Sequence, residues 1–129
     1  AVIRAESDFR ADAVSPVGAT GLMQLMPETF RFAGKELLGE QPDPAKIADP
    51  AVNIRYGAAY LSYLLSRFPV LTTALAAYNA GENRVAEWLS DERLAKDGTL
   101  LRIPFQETEN YVAKVTRFYI VKNFIQNGD

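Results

Sequence analysis

Neither histidine nor cysteine occurs anywhere in the chain. Their absence removes Ser-His and Cys-His nucleophile pairs, thiolate chemistry, disulfide bridges and zinc sites built from imidazole or thiolate. Proton transfer in an enzyme of this composition falls to Asp, Glu, Lys or Tyr, and a carboxylate mechanism leads. No apolar run approaches the ~18 residues of a membrane span, and no block of Lys and Arg forms a basic tail. The net charge of −2 and pI near 5.2 give no footprint for a phosphate backbone, so nucleic acid is not an expected partner. No cofactor and no metal are expected either. Lack of cysteine suits the cytosol and an oxidising compartment equally, so it does not locate the protein.

What is present is a soluble composition, 48% hydrophobic and 23% charged, in a chain long enough to bury about two thirds of its surface around one core. It opens Ala1-Val2-Ile3-Arg4, without an initiator methionine or a signal peptide, and is expected to be a fragment or processed domain. From Val2 to Phe9 the pattern is helical: Val2, Ala5, Glu6 and Phe9 fall within roughly one 100° sector, which puts Glu6 on the apolar face. Turn formers follow at Ser15-Pro16-Val17-Gly18 and Thr20-Gly21. Leu22, Met23, Leu25 and Met26 read as a short buried helix, and Pro27 as the start of the next, to about Ala33. Gly39 to Pro50 reads as an irregular crossover closing on Asp49-Pro50, an N-cap followed by proline at the first helical position.

Across Ala51 to Phe68 the apolar residues make two stripes, Val52, Tyr56, Ala59, Tyr60, Tyr63 and Ile54, Ala58, Leu61, Leu65, Phe68, which predicts a helix buried on two sides. Leu71 to Ala80 predicts a buried helix ending at Gly81. Glu82 to Leu89 predicts a modest helix with Val85, Trp88 and Leu89 inward, then a charged loop from Ser90 to Phe105. A final helix capped near Thr108 is expected to present Tyr111, Val115, Phe118, Tyr119 and Ile125 to the core. No alternating run bounded by turns makes a strand pair, and the class is all-α.

Glu6 is the sharpest local anomaly. A carboxylate on an apolar face loses water, which disfavours its charged form, raises its pKa and makes a usable general acid. Its surroundings narrow the reading: Glu6-Ser7, then Ser15 to Pro27 reading SPVGATGLMQLMP, then Ala77-Tyr78-Asn79-Ala80-Gly81, then Ile103-Pro104-Phe105-Gln106-Glu107-Thr108, then Tyr111-Val112. In this order and spacing, joined by Asn53-Ile54 and Gly57, these segments closely resemble the soluble lytic transglycosylase family over nearly the whole chain.

The resemblance implies a lysozyme-like multi-helix domain over residues 1–129, with a groove for alternating N-acetylglucosamine and N-acetylmuramic acid. Peptidoglycan glycan strands are then the partner, further domains of the same protein are expected, and the location is the periplasm or cell envelope. Glu6 corresponds to the single catalytic acid. Ser15, Gln24 and Met26 match groove-lining positions, Tyr78 and Asn79 match the pair beside the catalytic carboxyl, and Glu107 and Tyr111 match the far wall.

Each has a plainer alternative. Met26 can be core, Tyr78 a core aromatic, Ser15 the first residue of a turn, Asn79 a cap, and Glu107 a favourable charge at a helix N-terminus. Most glycosidases use two carboxylates, and no second one is marked here; Asp8 is turned roughly 160° from Glu6 by helical phase. The family's route needs none. A hydrolase resembling goose-type lysozyme is the nearest rival, and a non-catalytic wall-binding domain is a rival of another class.

Overall fold

The computed structural model describes residues 1–126, and six α-helices account for most of them: α1 Val2–Ser7, α2 Pro27–Phe32, α3 Pro50–Arg67, α4 Leu71–Ala80, α5 Glu82–Leu89 and α6 Gln106–Gln126. The expected all-α class holds. No helix among the described residues is long and apolar enough to cross a membrane. The chain divides into two compact units, Ala1–Tyr63 and Leu64–Asp129.

In the first unit α1 stops at Ser7 because Asp8 (φ 51°) and Phe9 (φ 64°) turn into the left-handed region, which ends helical bonding. Phe9 therefore leaves the apolar face it was expected to share and lies exposed. The segment Leu22 to Met26 is likewise not a helix. It is a run of turns with two isolated antiparallel bridges, Val14 to Thr20 and Thr20 to Leu25. Gly18 (φ 95°), Gly21 (φ 84°) and Gln24 (φ 51°) all sit in the left-handed region, and no right-handed helix can pass through them. Leu22, Met23 and Leu25 are buried as expected, whereas Met26 is 39% exposed.

Helix α2 starts at Pro27, where the missing N–H costs nothing, and runs on past Ala33 as one π-helical turn, Ala33–Leu37. The crossover contains a 3-10 turn, Pro44–Lys46. Asp49 Oδ1 accepts a bond from the Val52 N–H (3.1 Å) at the head of α3, as the Asp-Pro pair predicted. Along α3 one stripe is inward: Phe30 lies against Tyr56 (4.6 Å between ring centroids) and Phe32 meets Tyr63 edge-on (5.2 Å). The second stripe is buried only in part: Phe68 is buried and Leu61 half-buried as expected, whereas Ile54, Ala58 and Leu65 are exposed. Singly exposed apolar residues are normal and leave the same periodicity as buried ones.

Asn53, 0% exposed in the first turns of α3, ties the turn region to this helix. Its Oδ1 accepts from the Met23 N–H (2.8 Å), and its amide donates to the carbonyls of Thr20 (2.9 Å) and Ile47 (2.7 Å). A buried amide with all these bonds made stabilises; with one missing it would destabilise. The approach is close enough that a Cβ on Gly21 would overlap the Asn53 amide, and one on Gly57 would overlap Met23.

In the second unit α4 buries Thr73 to Ala77 and ends at Gly81, whose φ of 100° stops it. Helix α5 turns Val85 and Trp88 inward, with Trp88 edge-on to Phe105 (5.2 Å) and the Arg84 guanidinium 4.6 Å above that same ring. The expected charged loop holds an antiparallel hairpin, β1 Ala95–Lys96 and β2 Thr99–Leu100, turning through Asp97 (φ 54°) and Gly98 (φ 77°). Two consecutive left-handed residues are what a two-residue hairpin requires. Helix α6 begins at Gln106, so Thr108 lies inside it and is not its cap. Tyr111 and Val115 are buried and Phe118 half-buried, but Tyr119 is exposed and Ile125 is 72% exposed, against expectation.

Candidate active site

Glu6 is the penultimate residue of α1 and is half-buried. A six-residue helix has little stability of its own, so its orientation depends on what holds its end. Ser7 does this: buried, its hydroxyl lies 3.1 Å from the Ile3 carbonyl and 2.8 Å from the Leu22 carbonyl. The last turn of α1, and with it Glu6, is thereby fixed to the turns that carry Gln24 and Met26.

Gln24 holds its left-handed backbone with its own side chain. Nε2 donates to the carbonyls of Ala13 (3.0 Å) and Gly21 (2.9 Å). Both amide protons are spent on main chain, which assigns the amide orientation and leaves Oε1 as an acceptor. Ser15 closes the preceding turn, its Oγ accepting from Ala19 N–H (3.0 Å); the turn reading of Ser15 is thus realised, with the hydroxyl proton still available to donate. Met26 stands in extended conformation just before α2, and its exposure removes the core alternative.

In the second unit Tyr78 and Asn79 occupy the last turn of α4 and are half-buried. Asn79 Oδ1 accepts from the Thr108 hydroxyl (2.8 Å), so Asn79 does not act as a helix cap. Glu107 is exposed in the first turn of α6, and Tyr111, one turn further, is 8% exposed. Sequence reasoning gave no role to Ser7, whose adjacency to Glu6 was the available signal. Nor did it see the bond between Thr108 and Asn79, for which no local signal exists.

Four carboxylates among the described residues are half-buried, and the others are exposed. The four are Glu6, Glu40, Glu82 and Asp91; Glu40 pairs with Arg55, Glu82 with Arg67 (3.1 Å) and Asp91 with Arg93 (2.8 Å). The hydrogen-bonded Arg55 guanidinium holds the Glu40 carboxyl below the usual range, helped by the Tyr56 hydroxyl, and Arg93 does the same to Asp91. A carboxyl kept ionised in this way is a poor proton donor. Among the described residues no group of three acidic side chains converges to hold a metal ion.

Residues 1–100 match the transglycosylase SLT domain family. The chain is 38% identical over 122 residues to the soluble lytic murein transglycosylase of Escherichia coli K12, covering 92% of this chain and 19% of the relative. It is 36% identical to the putative soluble lytic murein transglycosylase of Haemophilus influenzae, covering all of this chain and 22% of that one. Among solved structures it resembles the 70-kDa soluble lytic transglycosylase in complex with bulgecin A (TM-score 0.84, 34% identity, 99% of this chain and 21% of that one). It also resembles an inactive glutamate-to-glutamine mutant of the lytic transglycosylase Slt of Pseudomonas aeruginosa (TM-score 0.73, 46% identity, 86% of this chain and 18% of that one). These likenesses bear out a lysozyme-like helical fold. The chain spans about a fifth of the length of the relatives it matches.

Proposed function

The chain belongs to the transglycosylase SLT domain family, and on that premise we propose that it cleaves the β-1,4 bond between N-acetylmuramic acid and N-acetylglucosamine in peptidoglycan without consuming water, leaving 1,6-anhydromuramic ends. One observation carries the reading: among the described residues the half-buried carboxylates Glu40, Glu82 and Asp91 are each held by an arginine, so none of these three is poised beside Glu6 as a second carboxyl to activate water or attack carbon. The inactivity of the Pseudomonas relative with one glutamate changed to glutamine agrees with a single essential acid.

Glu6 protonates the glycosidic oxygen as the C1–O bond breaks. The muramic N-acetyl oxygen stabilises C1 from within the substrate, and the C6 hydroxyl then attacks C1 while its proton passes to Glu6, which is restored. Ser15, Gln24 and Met26 in the first unit, and Tyr78, Asn79, Glu107 and Tyr111 in the second, are assigned to holding the glycan. Gln24 Oε1 suits an amide N–H or a sugar hydroxyl. The whole domain, residues 1–129, acts on the strands in the periplasm or cell envelope, beside further domains of a longer protein.

The product tests this. A C6 hydroxyl held against C1 is an intramolecular nucleophile, and well-oriented groups of that kind reach effective concentrations of roughly 10⁵ M or more, far above bulk water. Digestion of purified glycan strands in isotopically heavy water is therefore expected to give ends lighter than hydrolytic ones by one water and free of solvent oxygen. Reducing ends labelled by solvent would make the enzyme a muramidase, and no new ends at all would make the chain a binding domain.

A further inference from the structure

The hydroxyl of Thr108 is among the most deeply buried polar groups of the second unit: the residue is 1% exposed, in the first turns of α6. Threonine inside a helix commonly returns its proton to its own backbone one turn earlier. Here it donates across to Asn79 Oδ1, 29 residues away on the last turn of α4. Resting on the reading that Asn79 holds the glycan, the geometry points to Thr108 as a positioning residue that selects which end of the Asn79 amide meets substrate.

Asparagine can turn its amide over at almost no cost to shape, presenting either an oxygen or an NH2 group outward. A buried hydroxyl biases that choice. The Thr108 proton is accepted by Asn79 Oδ1; rotating the amide would put NH2 against the hydroxyl, which would then accept from it and need a different acceptor for its own proton. With Oδ1 committed inward, Nδ2 and its two protons are what Asn79 offers to a ligand. The chemistry selected is an oxygen acceptor: an acetamido carbonyl, a ring substituent oxygen or the lactyl carboxylate of a muramic unit.

Thr108→Val keeps the shape and removes the hydroxyl, while Thr108→Ser keeps the hydroxyl and removes a core methyl. The two variants should separate orientation from packing. Thr108→Val is expected to lower kcat/KM on glycan strands about 10-fold, the effect of one mispositioned hydrogen bond, with Tm little changed. Thr108→Ser is expected to keep kcat/KM within about twofold of wild type with the lower Tm that a lost buried methyl causes. In an Asn79→Ala background, Thr108→Val should cause no further loss, since there is no amide left to orient. If Asn79→Ala is impaired but Thr108→Val turns over like wild type, or if the two losses simply multiply, the positioning role is wrong and the assignment of Asn79 survives. If Asn79→Ala is fully active, the assignment of Asn79 fails and the role of Thr108 fails with it.

Discussion

Glu6→Gln is expected to reduce turnover on peptidoglycan at least 100-fold while leaving Tm unchanged or slightly raised. General acid–base catalysis by one positioned group contributes typically 10²–10⁴-fold, and here the same carboxyl gives a proton and later takes one back, so its removal affects both halves of the reaction. Glutamine preserves length and hydrogen-bonding capacity, and replacing a half-desolvated ionisable group with a neutral one can relieve strain. The bond from the Ser7 hydroxyl to the Leu22 carbonyl, which ties this end of α1 to the turns, survives the substitution. Anhydro product formed per unit time is the quantity to measure. A variant retaining even a tenth of wild-type turnover would mean that Glu6 is not the acid.

Asn53→Ala is expected to be the most damaging single change to stability outside the aromatic core, at about 3 kcal/mol. Removing the amide strands the Met23 N–H and the Ile47 carbonyl, each costing roughly 1–3 kcal/mol when buried and unmet; the Thr20 carbonyl keeps its bond from Leu25 N–H (3.0 Å). Against a total stability of about 5–15 kcal/mol this is a large fraction, and a drop in Tm of roughly 10 °C follows. Asn53→Asp should do no better, because a carboxylate still accepts from Met23 but turns an acceptor toward the Thr20 and Ile47 carbonyls, repelling both and leaving the Ile47 carbonyl without its donor. Calorimetry of both variants decides it. A loss below about 1 kcal/mol for Asn53→Ala would show that the turns carrying Gln24 hold without this tie.

The boundaries of α3, α4 and α5 were legible because each is written in one or two adjacent residues: Asp49-Pro50 at a start, Gly81 at a stop. The turns from Gly18 to Met26 were half legible. Two glycines marked the left-handed positions, but Gln24 is left-handed because its own amide reaches Ala13 and Gly21, and residue type alone does not announce that. The hairpin escaped because two-residue strands are too short to show alternation, although Asp97-Gly98 is the dipeptide such a turn favours. Burial along α6 was misjudged for Tyr119 and Ile125, since that helix is apolar around much of its circumference and periodicity then selects no face. In the candidate site the residue types were readable, and the bonds that aim them were not. Ser7 to Leu22 and Thr108 to Asn79 join positions far apart in the chain, and such bonds leave no periodic trace.

The second half of α6 has a colloidal consequence. Tyr119, Ile120, Val121, Phe124 and Ile125 are all exposed, with Lys122 the one charged side chain in that stretch. Contiguous apolar surface of this kind is adhesive in water, and a net charge of −2 supplies little long-range repulsion to keep copies apart. The chain alone should therefore associate as its concentration rises, faster at high ionic strength where the remaining repulsion is screened. Light scattering over a dilution series would register this, and Ile120→Lys should suppress it. Rates per molecule will then be independent of enzyme concentration only in the dilute range, where the stripe meets water more often than another copy of itself.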